Sequence, residues 1–290
     1  MRFATSSNYF QRAWMKHMRE FYAKIESKSN LIKRKCRLIL GWISCSPTPL
    51  TLPELEQALV VAISGTYRVS SRLNLIRLCG PIIEVVGDHL QFVHFTVKEY
   101  IHSRHRIEYY IDPIEATLSL TICCVRYLCQ DHHSPDISSE DVQIGIEMGN
   151  YRLHYYAAET WLSLIVQYLR LTPSKDISEE LIAALIKLRK DRGKQEYYGH
   201  TELKEQQYPW QLQRIECHDP NLFRFLQSFA QFQQKCSMSL YSLEEDHYWD
   251  NLNPITTSTI SKMLYTQFDQ YQCDPQQHPD QCLIPSRSAE

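Results

Sequence analysis

The sequence predicts a mainly α-helical fold broken by a single β-hairpin, and three observations carry that prediction. Apolar residues recur at spacings of three and four along most of the chain. The 290 residues include only eight glycines, fewer than folds rich in tight turns or phosphate-cradling loops need. Helix caps, a Gly-Pro stop and a hairpin turn fall in mutually consistent order between residues 51 and 106.

The elements follow in turn. Over residues 8–26, Phe10, Trp14, Met18, Phe21, Tyr22 and Ile25 describe one helical face. Ser27 to Asn30 interrupts it. A second helix carries Leu31, Leu38, Ile39, Trp42 and Ile43, with a basic cluster at Lys33, Arg34, Lys35 and Arg37. Ser46-Pro47-Thr48-Pro49 ends it, because proline biases the residue before it away from helix. Thr51-Leu52-Pro53-Glu54 reads as a capping box, in which each side chain satisfies the other residue's amide. Leu52, Leu55, Leu59, Ala62 and Ile63 follow at helical spacing, and a linker runs from Ser64 to Val69. Ser70 or Ser71 is expected to cap a third helix through Leu75, Leu78 and Cys79, stopped by Gly80-Pro81. Two β-like runs, Ile82 to Val86 and Leu90 to Phe95, flank Gly87-Asp88, a pair suited to a two-residue hairpin turn. Thr96-Val97-Lys98-Glu99 reads as a second capping box, opening a helix with Val97, Tyr100 and Ile101 on its apolar face. Three helices followed by a two-stranded wing, within about 75 residues, are a winged-helix arrangement and fit the size of a small domain.

Beyond it, residues 114–130 form a strongly apolar helix, and Asp131 to Ser139 reads as a polar break. Residues 151–170 form a helix rich in Tyr and Leu around Trp161. Asp176 and Glu179 are read as a third cap, before Leu181, Ile182, Leu185 and Leu188. Residues 190–220 read as a polar loop, and Leu222, Phe225, Leu226 and Phe229 mark one more helix. The division expected is an N-terminal helix at 1–30, a winged-helix domain at 31–110, an α-helical domain at 111–236 and a polar, partly disordered tail at 237–290. There is no internal repeat of 20–50 residues.

Composition narrows the function classes. Values of 43% hydrophobic and 22% charged are ordinary for a globular protein. No run approaches the roughly 20 apolar residues of a membrane span, and Met1 to Phe10 lacks the apolar core of a signal peptide. A cytoplasmic location and no membrane partner are therefore expected. The ten cysteines lie mostly in helical apolar patterns and read as reduced core thiols. Cys273 and Cys282 flank His278 without a closely spaced ligand pair, so no zinc site is expected there. Asp131, His132, His133 and Asp136 carry ligand-type side chains, but a polar loop explains them without a metal. The formal charge of −2 hides an asymmetry, with 16 Lys and Arg against 8 Asp and Glu in residues 1–110 and the excess reversed beyond. The basic part faces phosphates, an acidic partner or the chain's own acidic part.

Leu38 to Trp42 with Pro49 to Leu59, Leu78 to Val85, and Phe92 to Ile101 together resemble the region just after the NACHT NTPase domain in fungal NOD-like STAND proteins. That region is often labelled a GPI inositol-deacylase-type winged-helix domain. Cys124 to Leu128 and Tyr151 to Trp161 resemble the helical segment that follows, so the resemblance spans roughly residues 21–170. It implies a signalling ATPase architecture, in which a nucleotide-binding module precedes the winged helix and ankyrin or other repeats often follow. Residues 1–30 would then be the end of the NACHT-associated helical region. The chain has no G-x-x-x-x-G-K-[ST], whose backbone amides and lysine cradle phosphate, and no G-x-S-x-G nucleophile motif. Neither ATP hydrolysis nor acyl-bond hydrolysis is expected of it, and no cofactor.

Three sets of residues stand out. In the proteins this chain resembles, a histidine at the place of His94 contacts the β-phosphate of ADP and holds the closed state. The Asp that usually follows is Phe95 here. A helix N-terminus favours anions and keeps a nearby imidazole neutral, leaving it one donor; the same position also suits a structural histidine under the wing. Arg68, Arg72, Asn74 and Arg77 lie on or beside the third helix, which reads the major groove in DNA-binding winged helices, and the basic residues at 33–37 would supply phosphate contacts. The bland reading of that set is a solvated face. Tyr151, Tyr155, Tyr156 and Trp161 form either an interaction surface or, at helical spacing, core. The function expected is non-catalytic: a regulatory fragment whose winged helix packs on a NACHT domain absent from this chain. A nucleic-acid-binding winged helix is the alternative.

Overall fold

The computed structural model describes residues 18–66 apart from 19 and 22, 74–103, 110–134, 136–192 and 209–239. The first full helix, α1, spans Asn30–Cys45 and buries Cys36, Ile39, Leu40, Trp42 and Cys45 along one side. Helix α2, Leu52–Ser64, opens on the expected capping box: the Thr51 amide donates to Glu54 Oε2 at 2.8 Å, and the Glu54 amide donates to Thr51 Oγ1 at 3.4 Å. Helix α3 is short, Leu75–Cys79, and passes into a 3-10 turn at Gly80–Ile82. Strands β1, Ile83–Val86, and β2, His89–Phe92, pair antiparallel with Val86 opposite His89. Gly80 and Gly87 take φ of +61° and +60°, which suits the helix stop and the two-residue turn to glycine. The hairpin is anchored to the stretch before α2: the Leu90 amide donates to the Leu50 carbonyl at 2.8 Å, and His89 bridges to Thr51. Helix α4, Phe95–Ile101, buries Val97 and Ile101 beneath it.

Helix α5, Pro113–Leu128, follows, with Asp112 as its N-cap and proline in its first turn. It is buried on nearly every side, because α1 and α2 pack on it from one direction and α7, His154–Leu171, and α8, Glu179–Arg192, from others. Helix α6, Ser139–Glu147, precedes α7. A 3-10 turn at Trp210–Leu212 leads into α9, Gln213–Glu216, and α10, Pro220–Ser239. One apolar core runs without a break from Met18 through Leu40, Leu120 and Trp161 to Phe229, so the winged helix shares its interior with α5, α7, α8 and α10, while Val142 and Ile146 of α6 form a small separate cluster with Tyr151. A Cβ built on Gly41 would sit 3.1 Å from Ala116 Cβ, so a bare backbone at this point lets α1 and α5 approach closely. Trp42 is fully buried there and its indole N–H donates to Ser119 Oγ at 2.9 Å.

Several boundaries differ from the expectations. Helix α4 begins at Phe95, and its cap is His94 rather than Thr96, because the imidazole Nδ1 accepts from the Thr96 amide at 3.2 Å. Strand β2 accordingly ends at Phe92, short of Phe95. Helix α8 starts at Glu179, three residues beyond the Asp176 read as its cap; the Ser178 amide donates instead to the Tyr168 hydroxyl at 3.2 Å. The polar break after α5 holds a 3-10 turn at Asp131–His133 with both histidines buried. Helix α6 escapes the periodicity reading because Val142, Ile144 and Ile146 alternate like a strand, yet the helix buries Val142 and Ile146 and exposes Ile144. The stretch read as a loop from 190 to 220 contains the end of α8 and all of α9, with Leu212 and Ile215 in the core. Ser70, Ser71, residues 193–208 and most of the tail from 237 lie outside the described residues.

Candidate functional site

The wing and the start of α4 place His94 at a helix mouth. Its side chain is half-buried and stacked on Phe95, ring centroids 4.4 Å apart and planes 30° apart. Acceptance of the Thr96 amide by Nδ1 assigns the ring proton to Nε2, and the Thr96 hydroxyl lies 2.8 Å from the same Nδ1. The imidazole therefore serves as the cap of α4. Phe95 is 69% exposed, and Val85 and Val86 near the wing tip are 51% and 53% exposed. Their neighbours Ile83, Leu90 and Val97 are buried. Apolar side chains are thus left in water on the hairpin and the helix start that follows it.

The residues singled out for nucleic acid are distributed differently. Asn74 Oδ1 accepts from the Arg77 amide at 2.8 Å, so its side chain supports the first turn of α3. Arg77 is exposed, while Arg68 and Arg72 lie outside the described residues. Lys33 pairs with Glu26 at 2.6 Å, and Arg34 donates to the Ala62 carbonyl at 3.3 Å. Lys33, Arg34 and Arg37 line one wall of a cleft of about 520 Å³ between α1 and the start of α5. Glu26, Asp112 and Glu115 also line it. A polyanion entering there would meet carboxylates as well as cations, so the cleft is electrostatically mixed rather than a phosphate track.

A second constellation lies inside the helical part. The rings of His132, His133 and His154 are clustered with Tyr127 and Tyr151, and His132 and His133 stand 4.2 Å apart between centroids. Tyr151 donates its hydroxyl to the His132 carbonyl at 2.6 Å, and Tyr127 donates to the Asn150 carbonyl at 3.0 Å. Burial pushes the His154 imidazole down to about 3, so it stays neutral. Among the described residues no group of three or more His, Cys, Asp or Glu is arranged to hold a metal ion. Asp131 and Asp136 are exposed while His132 and His133 face inward. Tyr151, Tyr156 and Trp161 are core and Tyr155 is half-buried, so this aromatic set packs the interior.

Sequence reasoning missed the capping role of His94, since a ring nitrogen is an uncommon cap, and the burial of His132 and His133. It also missed Gln57. That side chain is fully buried on α2, donates to the Asn150 carbonyl at 2.7 Å and accepts from the Leu153 amide at 2.7 Å. It joins the winged helix to the turn before α7. A glutamine in an apolar helical run was the available signal. Among the described residues no helix is long and apolar enough to cross a membrane.

No curated protein and no solved structure matches the chain. Residues 24–111 match the family described as GPI inositol-deacylase, winged helix domain, and with the helices and hairpin seen here that segment is a winged-helix domain of this kind.

Proposed function

We propose that the chain is a non-catalytic regulatory fragment of a STAND-type signalling protein, working inside the cell, whose winged helix packs on a nucleotide-binding NACHT module. The observation that carries this reading is the exposure of Phe95 beside His94 and of Val85 and Val86 near the wing tip, since apolar side chains left in water on an otherwise packed element mark a surface that another protein covers. His94 supports it further. It caps α4 at the edge of the wing, the place at which the resemblance would put a contact to the β-phosphate of ADP. Against the nucleic-acid alternative stand the pairing of Lys33 with Glu26 and the acidic residues of the cleft.

The test is binding of the purified chain to a separately expressed NACHT module from the same organism, followed by calorimetry with ADP and with an ATP analogue. Tighter binding with ADP is expected. Phe95→Ser should weaken binding with either nucleotide, while His94→Ala should remove the preference for ADP. Absence of binding under every nucleotide condition would refute the reading.

A further inference from the structure

The cleft between α1 and the start of α5 is sorted by charge. Its walls meet where Gly41 faces Ala116. From there the lining runs back along one side of α1 through Leu38, Arg37 and Arg34, and along α5 to Asp112. Lys33 and Glu26 cancel each other as an ion pair. The cations left are Arg34 and Arg37, both on α1, and the carboxylates left are Asp112 and Glu115, both at the start of α5. Arg34 donates to the Ala62 carbonyl at 3.3 Å, and Asp112 Oδ1 accepts from the Ile114 amide at 2.8 Å. Arg37 and Glu115 are exposed, and among the described residues neither forms an ion pair. A guanidinium and a carboxylate thus share one cleft of about 520 Å³ without closing on each other.

We propose that this cleft binds a short peptide with free ends, its terminal carboxylate on Arg37 and its terminal ammonium on Glu115. The guanidinium fork offers a carboxylate two parallel N–H bonds, and the Glu115 carboxylate accepts from the ammonium. A polyanion meets repulsion from the α5 wall and a polycation from the α1 wall, whereas a molecule carrying both charges satisfies both walls at once. Size points the same way. Three extended residues span about 10 Å, close to the roughly 8–10 Å between the axes of packed helices. The volume lies within the roughly 300–1,000 Å³ of small-ligand sites. Half-buried Leu38 between the charged walls suits an apolar side chain at the middle of the peptide. The site uses none of the wing residues on which the NACHT reading rests, so the two stand or fall separately.

The closed end of the cleft carries its own reporter. The Trp42 indole N–H, donated to Ser119 Oγ at 2.9 Å, lies among the lining residues, and its nuclear magnetic resonance in the labelled full chain senses what enters. Titration with the free tripeptide alanyl-leucyl-alanine should shift that resonance saturably. Arg37→Gln and Glu115→Gln, both at exposed positions, should each weaken binding about tenfold, the loss of one charge-assisted contact. Amidation of the peptide's C-terminus should remove the effect of Arg37→Gln, and acetylation of its N-terminus that of Glu115→Gln, which matches each end to its residue. No saturation up to about 10 mM peptide overturns the proposal. So does equal affinity for the free and the doubly blocked peptide, or binding that survives both substitutions unchanged.

Discussion

The winged helix and the helical part after it are held by different means. The winged helix is punctuated by local chemistry: the reciprocal Thr51–Glu54 cap, left-handed glycines at 65, 80 and 87, and the His94 ring over α4. Each of these acts between residues only a few positions apart. The helical part is organised at long range, around α5 buried on nearly every side, the clustered His132, His133 and His154 rings, and Trp161 edge-on to Phe229. Between them lies a polar seam. Gln57 bonds both ways to the 149–153 turn, the Arg152 guanidinium reaches Glu56 at 3.4 Å, and Gln167 donates to the Cys45 carbonyl at the open end of α1. The lesson is that a family boundary near residue 111 does not mark a boundary of the interior.

The largest effect is expected at that seam. Gln57→Leu keeps the volume but strands the Leu153 amide in the interior, at a cost of about 2 kcal/mol. Urea unfolding, followed at once by tryptophan fluorescence and far-ultraviolet dichroism, should give one coincident transition at lower midpoint. If the two probes separate, with the tryptophan signal melting apart from the helices, the shared core is not the cooperative unit described here.

What could be read from the chain alone follows the same divide. Thr51, Glu54, Gly80 and Gly87 carry their meaning in neighbouring residues, and the winged-helix order was legible from them. The second Thr-x-x-Glu box misled because Thr96 and Glu99 satisfy the pattern while both already stand inside α4, with His94 as its cap. The burial of His132 and His133 depends on Tyr127, Tyr151 and His154, which the fold brings in from both sides, and a polar Asp-His-His run contains no sign of them. Trp161 and Tyr156 were legible as core, since apolar periodicity survives without knowledge of the partner helix. At the candidate site, His94 was legible as a residue but its tautomer was not, because the acceptor role of Nδ1 depends on where α4 begins.

The next effect down is a pH dependence confined to the helical part. The His154 imidazole falls from its ordinary 6.5 to about 3 in the folded chain, so the unfolded chain binds the proton that the folded chain refuses. The stability it contributes is complete above pH 6.5 and is lost as the pH falls from 6.5 toward 3. The slope is at most about 1.4 kcal/mol per pH unit. Melting temperatures of the chain and of His154→Leu, compared between pH 7.5 and 5, should converge on acidification, because the variant lacks this proton uptake. Parallel curves would mean that His154 meets water in the folded state.

The smallest effect belongs to the winged helix and tests whether its local punctuation is dispensable. Thr51→Ala removes the hydroxyl that accepts the Glu54 amide, while Glu54 retains the reverse bond to the Thr51 amide, so half of the box survives. The expected loss is about 1 kcal/mol. Because Thr51 also bridges to His89, the change should be felt at the base of the wing, and amide exchange should quicken at Glu54 and at Leu90 together. Quickening at Glu54 alone would show that the cap and the wing are held independently. Joint quickening would mean that the cap of α2 also sets the position of the hairpin, and through it the mouth of α4 where His94 and Phe95 stand.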